Sequence, residues 1–258
     1  MSDANTFPHP PWLADDLPPA DRRAVTRRMA RLIREWEAAG DRRAIFLSCY
    51  SMMTRNMLAA IHARDFLDPD WVHDLLERFA EYYFAALHSF DHHINRTPPP
   101  WRLAFDATRN ADMEVLQHLL LGINAHINYD LVLCLGEVLQ DEWRELSADE
   151  RQARYRDHCH VNDIIAATID AVQDRVVERY APWMDVVDRA MGRADEWLVT
   201  RLIAYWRDEV WKHAIERVTL PDAAAREAHR QELERSVVAR GHLIRMDVLT
   251  STLGKLGL

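Results

Sequence analysis

Glycine is scarce in this sequence, and proline is scarce outside its amino-terminal end. Seven glycines and 11 prolines occur in 258 residues, and five of the prolines lie within the first 19 positions. These two residue types interrupt helices most strongly, so most of the chain is free of helix breakers. Because 48% of the residues are hydrophobic, the chain also has enough apolar side chains for one substantial core. We therefore predict an all-α protein.

Several common functional motifs are missing as well. The sequence has no glycine-rich phosphate loop, no G-x-S-x-G nucleophile elbow and no paired E-x-x-H motifs of the kind that build di-iron bundles. The three cysteines have no metal-ligand spacing, which favours small buried side chains in a reducing compartment. These absences exclude the most recognisable nucleotide, serine-hydrolase and di-iron chemistries.

Charge and hydropathy limit the partners and the location. Acidic and basic residues are interspersed at a formal net charge of -9, so no basic stripe is present for nucleic acid. The amino terminus lacks the pattern of a secretory signal, and no run of about 18 apolar residues indicates a membrane span. We expect a cytoplasmic protein that binds a small molecule, with no nucleic acid partner and no membrane span. The tryptophan-rich carboxy-terminal helices could pack within one chain or in a homodimer.

Capping and periodicity signals divide the chain into a proline-rich irregular segment, residues 1–20, and a single helical domain, residues 21–258. The domain is predicted to be a bundle of about eight helices around a central buried helix at about 112–143. The triple proline Pro98–Pro100 predicts a rigid connection over 95–101. The other predicted helices cover about 21–39, 41–63, 71–94, a short piece from 102, 147–180, two pieces from 183 and 195, and 221–249. Gly40 is predicted to end the first helix, Asp68 or Asp70 to cap the third, and Ser147 with Glu150 to form a capping box.

The central helix contains LLLGINAHINYDLVLCL, residues 119–135, in which polar residues interrupt an apolar run. His126 and Asp130 are four residues apart and so share one helix face, whereas Asn124 and Asn128 form a second polar ridge. A buried carboxylate must be paired, neutralised or bound to a metal. The pattern fits either a structural His–Asp pair or part of a functional site.

Other polar residues offer candidate partners for this pair, each with a structural alternative. His88 and His92 have the spacing of two ligands on one helix, but they also fit a solvated helix end. His158 and His160 lie on the next long helix. Arg207 lies among tryptophans, where it could clamp an anion or form an ion pair with Asp130, with another buried acid or with a neighbouring surface acid.

Our first hypothesis is a metal-dependent hydrolase of esters or phosphoesters, in which bound zinc, or alternatively iron, acidifies a water molecule. Non-haem iron oxygenase chemistry and a metal-free small-molecule binding or cyclase-like pocket are the alternatives. The hypothesis assigns the metal to His126, Asp130, His88, His92, His158 and His160, with His118 in reserve. It assigns catalysis to Asp130, Asn124, Asn128, Tyr50 and Arg207.

Two resemblances accompany these motifs. GDRRAIFLSCYSMMT, FLDPDWVHDLLERFAEYY, LLLGINAHINYDL and VNDII together resemble a bacterial family of unknown function over about residues 20–250. This resemblance implies that Tyr50, Thr54, Asn124, His126, Asp130 and Asn162 belong to the family pattern. GINAHINYD is also similar to the metal-binding helix of zinc-dependent phospholipase C and the related single-strand nucleases. That resemblance implies an all-α enzyme in which His126 and Asp130 bind zinc and His158 lies near a later ligand position.

Overall fold

The computed structural model describes the backbone of residues 22–140, 142–172 and 186–246, and side chains within 24–140, 142–169 and 199–246. The described residues form eight α-helices and no strand, which confirms the predicted all-α bundle. The helices are α1 (Arg22–Ala39), α2 (Arg43–His62), α3 (Pro69–His92), α4 (Pro99–Ala107), α5 (Val115–Gln140), α6 (Ala148–Val172), α7 (Val186–Thr219) and α8 (Ala223–Arg245). The predicted irregular segment 1–20 lies outside the described residues.

Local capping chemistry sets several helix boundaries as the sequence predicts. Gly40 follows α1 with a φ of 67°, a left-handed conformation that glycine adopts without steric cost. The Asp68 carboxylate caps α3 by accepting a hydrogen bond from the Trp71 amide at 3.1 Å. Ser147 and Glu150 form a reciprocal capping box at the start of α6.

The triple proline does not extend the connection as far as predicted. Helix α4 begins at Pro99 rather than near residue 102, and Pro98 is the residue that precedes it. The first amides of a helix have no intrahelical acceptor, so proline loses nothing at these positions, and its fixed φ already suits the helix. This early start places Trp101 in the first turn of α4.

Helix α7 replaces the two shorter helices predicted from residues 183 and 195. It runs continuously from Val186 to Thr219 because no helix breaker other than Gly192 interrupts that stretch. The predicted ends of α6 near residue 180 and of α8 near residue 249 lie outside the described residues.

Helix α5 is the central element, as predicted, over a slightly shorter range. It packs against α2, α3, α4, α7 and α8. By length and composition alone α5 would qualify as a membrane span, but 94% of its most apolar window is buried by the other helices. A helix covered on all sides must place its polar side chains inside the protein, so those of α5 determine where a buried site can form.

Candidate functional site

A π-helical turn, His126–Asp130, interrupts the α-helical geometry in the middle of α5. The Leu131 amide donates to the carbonyl oxygen of His126, five residues earlier, instead of the usual four. Such turns are rare, and they occur frequently at functional sites because tertiary contacts must hold the less favourable backbone in place. The turn coincides with the two residues that the sequence singled out most strongly.

The side chains of His126 and Asp130 form a buried pair in this turn. Nδ1 of His126 lies 2.9 Å from Oδ2 of Asp130, and the indole Nε1 of Trp101 donates to the same oxygen at 2.8 Å. The exposed fraction is 3% for His126 and 0% for Asp130. The aspartate is therefore held between two partners from α5 and α4, and the ion pair with Asp130, one of the alternatives considered for Arg207, does not form.

Aromatic rings enclose the His126 imidazole. The Phe79 ring from α3 stacks on it in parallel, with centroids 3.6 Å apart and planes at 6°. The Tyr50 ring from α2 meets it nearly edge-on at 4.4 Å. The rings of Phe46, Tyr83 and Trp101 lie at 5.8, 6.1 and 5.8 Å. These contacts fix the orientation of the imidazole and exclude water from the pair.

Four polar atoms in this cluster have no hydrogen-bond partner among the described residues. They are Nε2 of His126, Oδ1 of Asp130 and the hydroxyl oxygens of Tyr50 and Tyr83. Thr54 lies close to the Tyr50 hydroxyl, but its own hydroxyl donates to the main-chain oxygen of Tyr50 at 2.8 Å. Each unpaired buried polar group destabilises a protein by about 1–3 kcal/mol, so natural cores contain few of them. Four such atoms around one ring pair make this cluster the candidate site.

Burial acts on both members of the pair in the direction of the uncharged form. Desolvation raises the pKa of Asp130 well above its ordinary value, although the Trp101 hydrogen bond opposes this shift. Desolvation also lowers the pKa of His126 well below its ordinary value. Both shifts favour a pair with no net charge, in which one proton lies between Oδ2 and Nδ1. In that state Nε2 carries the remaining hydrogen and is a donor.

Gly122, one turn before His126, has a packing role. A Cβ atom at this position would lie 2.4 Å from two atoms of the Phe46 ring. The absence of a side chain thus lets α2 bring Phe46 against α5, where the ring also contacts His126 edge-on. The glycine in the G-x-x-x-H-x-x-x-D spacing shapes the wall of the aromatic cluster.

The second polar ridge of α5 points to a different neighbour. Asn128 donates to Asn124 at 3.1 Å, and Asn124 donates to the carbonyl oxygen of Val237 in α8 at 2.9 Å. Gln117 continues the ridge by donating to the carbonyl oxygen of Ile244. The predicted catalytic residues Asn124 and Asn128 therefore fasten α5 to the backbone of α8, and they do not contact the His126–Asp130 pair.

His158 and Arg207 form a separate buried network between α6 and α7. The two nitrogens of the His158 ring lie 2.9 Å from the carbonyl oxygen and 3.3 Å from the guanidinium of Arg207. The Arg207 guanidinium also donates to the carbonyl oxygen of His158 and to Oδ1 of Asn162. Desolvation, and then the Arg207 charge, lower the pKa of His158 well below its ordinary value. The network joins α6 to α7 and is separate from the aromatic cluster.

The remaining predicted metal ligands are also apart from His126. His88 and His92 contact each other near the exposed end of α3, with ring centroids 4.5 Å apart. His160 pairs with Asp163 on α6 at 3.0 Å. Burial lowers the pKa of His118 to about 4. Among the described residues, the predicted ligands include no group of three whose ligand atoms lie within 4.8 Å of one another.

A surface groove of about 720 Å³ lies between α4 and α8. Its charged lining consists of Arg96, Arg102, Asp106, Arg230, Glu234 and Arg245. The Tyr129 hydroxyl reaches this lining by donating to Glu234 at 2.9 Å and accepting from Arg230 at 3.2 Å. The π-turn therefore contacts both the aromatic cluster, through His126 and Asp130, and the groove, through Tyr129.

Sequence reasoning identified Tyr50, His126 and Asp130 but missed the groups from α3 and α4. Of these groups, only Trp101 could have been recognised from the sequence. A buried tryptophan needs a hydrogen-bond acceptor for its indole N–H, and Trp101 directly follows the proline run. Phe79 and Tyr83 follow the ordinary apolar spacing of α3, which does not distinguish them from other core residues.

Comparison with known proteins identifies the family and no activity. No curated protein and no solved structure matches the chain. A sequence model described as a family of unknown function, DUF5995, matches residues 23–247, which include every residue of the aromatic cluster. The chain belongs to this DUF5995 family.

Proposed function

We propose that the protein binds a small, mostly apolar molecule in the aromatic cluster around His126 and that the molecule carries a hydrogen-bond-accepting oxygen such as a carbonyl. The observation that carries the proposal is the set of unpaired atoms on Tyr50, His126 and Asp130 within one water-excluding cluster. Binding sites for small molecules combine apolar and aromatic walls with a few fixed polar groups in this way.

The protonation state of the pair determines what the ligand must present. An uncharged His126–Asp130 pair offers the Nε2–H group of His126 as a donor and Oδ1 of Asp130 as an acceptor. Trp101 and Phe79 hold both groups in place, so little ordering entropy remains to be lost when a ligand binds.

The same arrangement supports general acid chemistry. The Nε2–H group of His126 can give its proton to a carbonyl oxygen while the proton of Asp130 moves to Nδ1. The products of that step are a protonated ligand oxygen, a neutral imidazole and an Asp130 carboxylate that still accepts from Trp101. No metal ion is needed to balance the step.

A ligand screen with matched variants tests the proposal. We expect at least one member of a panel of cyclic and aryl ketones to raise the melting temperature of the wild-type protein. The same compound should shift the ¹⁵N resonance of Nε2 of His126 in histidine-labelled protein. Substitutions Tyr50→Phe and His126→Gln should weaken its binding by about ten-fold or more, since each removes a hydrogen-bonding group.

Substitution His92→Gln is the control, because it changes an exposed histidine at the far end of α3 and should leave ketone binding unchanged. The proposal fails if no ketone binds the wild-type protein, or if binding is equally strong in Tyr50→Phe and His126→Gln.

The metal-dependent hydrolase, its zinc or iron cofactor and the likeness to zinc phospholipase stay predictions from the sequence. A metal on Nε2 of His126 would require further ligands from this cluster, where the rings beside His126 are those of Phe46, Tyr50, Phe79, Tyr83 and Trp101. Zinc prefers nitrogen, sulfur and carboxylate ligands. The metal-free site is therefore the better fit to the geometry.

A further inference from the structure

Helices α7 and α8 are joined by the short connection 220–222, and each carries a histidine at a similar distance from it along the chain. His213 lies six residues before the last residue of α7, and His229 lies six residues after the first residue of α8. At about 1.5 Å per residue, both lie roughly 9 Å from the connecting turn. Their ring centroids are 5.8 Å apart. Glu216 stands one turn after His213 on α7 and faces the same gap.

The three side chains bring their ligand atoms together. Oε2 of Glu216 lies 3.4 Å from Nδ1 of His213 and 3.7 Å from Nε2 of His229. One ligand atom from each of the three residues lies within 4.8 Å of the other two. In a tetrahedral site with bonds of about 2.0–2.1 Å, neighbouring ligand atoms are about 3.3 Å apart. Two of the three separations are close to that value, and small side-chain rotations would bring in the third.

We propose that His213, Glu216 and His229 bind one zinc-class divalent cation that fastens α7 to α8. Two imidazole nitrogens and one carboxylate oxygen are a ligand set that zinc accepts, with water in the fourth position. The ligands come from two different helices, so the ion closes a link between them that neither helix supplies alone. This site lies apart from the aromatic cluster and does not depend on the function proposed there.

The surroundings suit a metal ligand. His229 is nearly buried, with 11% of its side chain exposed, whereas His213 and Glu216 are about half exposed and open the site to solvent.

Metal titration of the full-length chain tests the site. After treatment with a chelator, the wild-type protein should bind one zinc ion per chain in calorimetry, and zinc should raise its melting temperature in a concentration-dependent manner. Cobalt(II) should give the visible absorption of a tetrahedral ion. Substitutions His213→Ala, Glu216→Gln and His229→Ala should each weaken zinc binding by more than about ten-fold and remove the cobalt spectrum.

Two controls separate this site from other histidines. The double variant His88→Ala/His92→Ala removes the two histidines that contact each other on α3, and His160→Ala removes the histidine beside Asp163. Both controls should retain zinc and the cobalt spectrum. Circular dichroism of every variant verifies that the helices are intact.

The proposal is overturned if the wild-type protein binds no zinc, if His213→Ala and His229→Ala bind it as tightly as the wild type, or if either control loses it. Because His213 is half exposed, its replacement leaves the core intact and the result stays interpretable.

Discussion

His126 and His158 are two almost fully buried histidines whose surroundings treat them in opposite ways. Their exposed fractions are 3% and 2%, and desolvation lowers the pKa of both. Both ring nitrogens of His158 face groups of Arg207. Only Nδ1 of His126 is paired, and its Nε2 has no partner among the described residues. Burial alone therefore does not distinguish a structural histidine from a functional one.

The two regions differ in how their buried polar groups are hydrogen-bonded. In the network of His158, Arg207 and Asn162 both ring nitrogens of His158 face Arg207, and the Arg207 guanidinium donates to both partners, which joins α6 to α7. The region around His126 tolerates unpaired atoms and a π-turn, both of which lower the free energy of unfolding. Natural proteins keep such local costs mainly at functional sites.

The largest expected effect comes from breaking the satisfied network. Substitution Arg207→Leu removes a buried guanidinium that bonds to His158 and Asn162, so it should lower the free energy of unfolding by about 3 kcal/mol or more. Urea unfolding followed by circular dichroism measures the change. The exposed control Arg235→Leu should stay within about 0.5 kcal/mol of the wild type. An Arg207→Leu protein as stable as the control would contradict a structural role for the network.

The wall of the His126 region can be tested with two glycines. Substitution Gly122→Ala forces a methyl group against the Phe46 ring and should destabilise the protein by about 1–3 kcal/mol. In the control Gly241→Ala the close contact is with the flexible end of the Leu103 side chain at 2.5 Å, and Leu121 and Asn124 lie at ordinary contact distances of 3.5 and 3.6 Å. There the better helix propensity of alanine should balance the contact or stabilise by up to about 1 kcal/mol. Equal losses in both variants would show that Gly122 has no special packing role.

The sequence predicts the helices and their boundaries better than the contacts between side chains on different helices. The all-α bundle, the central helix and the capping residues Gly40, Asp68 and Ser147 follow from local rules that need only neighbouring residues. The start of α4 at Pro99 was missed because a proline run was interpreted as a break, although proline is accepted in a first helical turn.

Partner identity could not be predicted in the same way. The spacing of His126 and Asp130 predicts a shared face, but it does not say that Trp101 from α4 bonds to Asp130 or that Arg207 bonds to His158 instead. Those contacts depend on how distant helices pack, which periodicity does not encode. The histidine pair His213 and His229 was missed for the same reason, since its members lie on different helices.

The free energy of unfolding should depend on pH in opposite directions through Asp130 and through His158. The raised pKa of Asp130 stabilises the folded state below about pH 4, and this contribution is lost as the pH rises through the folded pKa. The lowered pKa of His158 has the reverse effect, because its contribution is present above about pH 6.5 and is lost as the pH falls. A substitution that replaces either residue by one that does not titrate removes the contribution of that residue to the pH dependence.

Two variants measure these pH dependences, each of which changes the free energy of unfolding by about 1.4 kcal/mol per pH unit wherever the group is ionised in one state and not in the other. Relative to the wild type, Asp130→Asn should become more stable as the pH rises from 5 to 8. His158→Gln should become relatively more stable as the pH falls over the same range. Urea titrations at the two pH values provide both differences. An Asp130→Asn protein that becomes relatively less stable as the pH rises would contradict the raised pKa of Asp130, and a His158→Gln protein that becomes relatively less stable as the pH falls would contradict the lowered pKa of His158.

The smallest expected effect uses two buried tyrosines that differ in whether the hydroxyl is paired. Tyr129→Phe removes a hydroxyl bonded to Glu234 and Arg230, so it should lower the free energy of unfolding by about 1–2 kcal/mol. Tyr50→Phe removes a buried hydroxyl without a partner among the described residues, and the stability should stay within about 0.5 kcal/mol of the wild type or rise. For a domain of this size, 1 kcal/mol corresponds to about 2–4 °C in melting temperature, which differential scanning calorimetry resolves.

A loss in Tyr50→Phe as large as that in Tyr129→Phe would show that the Tyr50 hydroxyl stabilises the fold. In that case the polar groups around His126 would be hydrogen-bonded within the protein, as those around His158 are, and the proposal that this region binds a ligand would lose its main support.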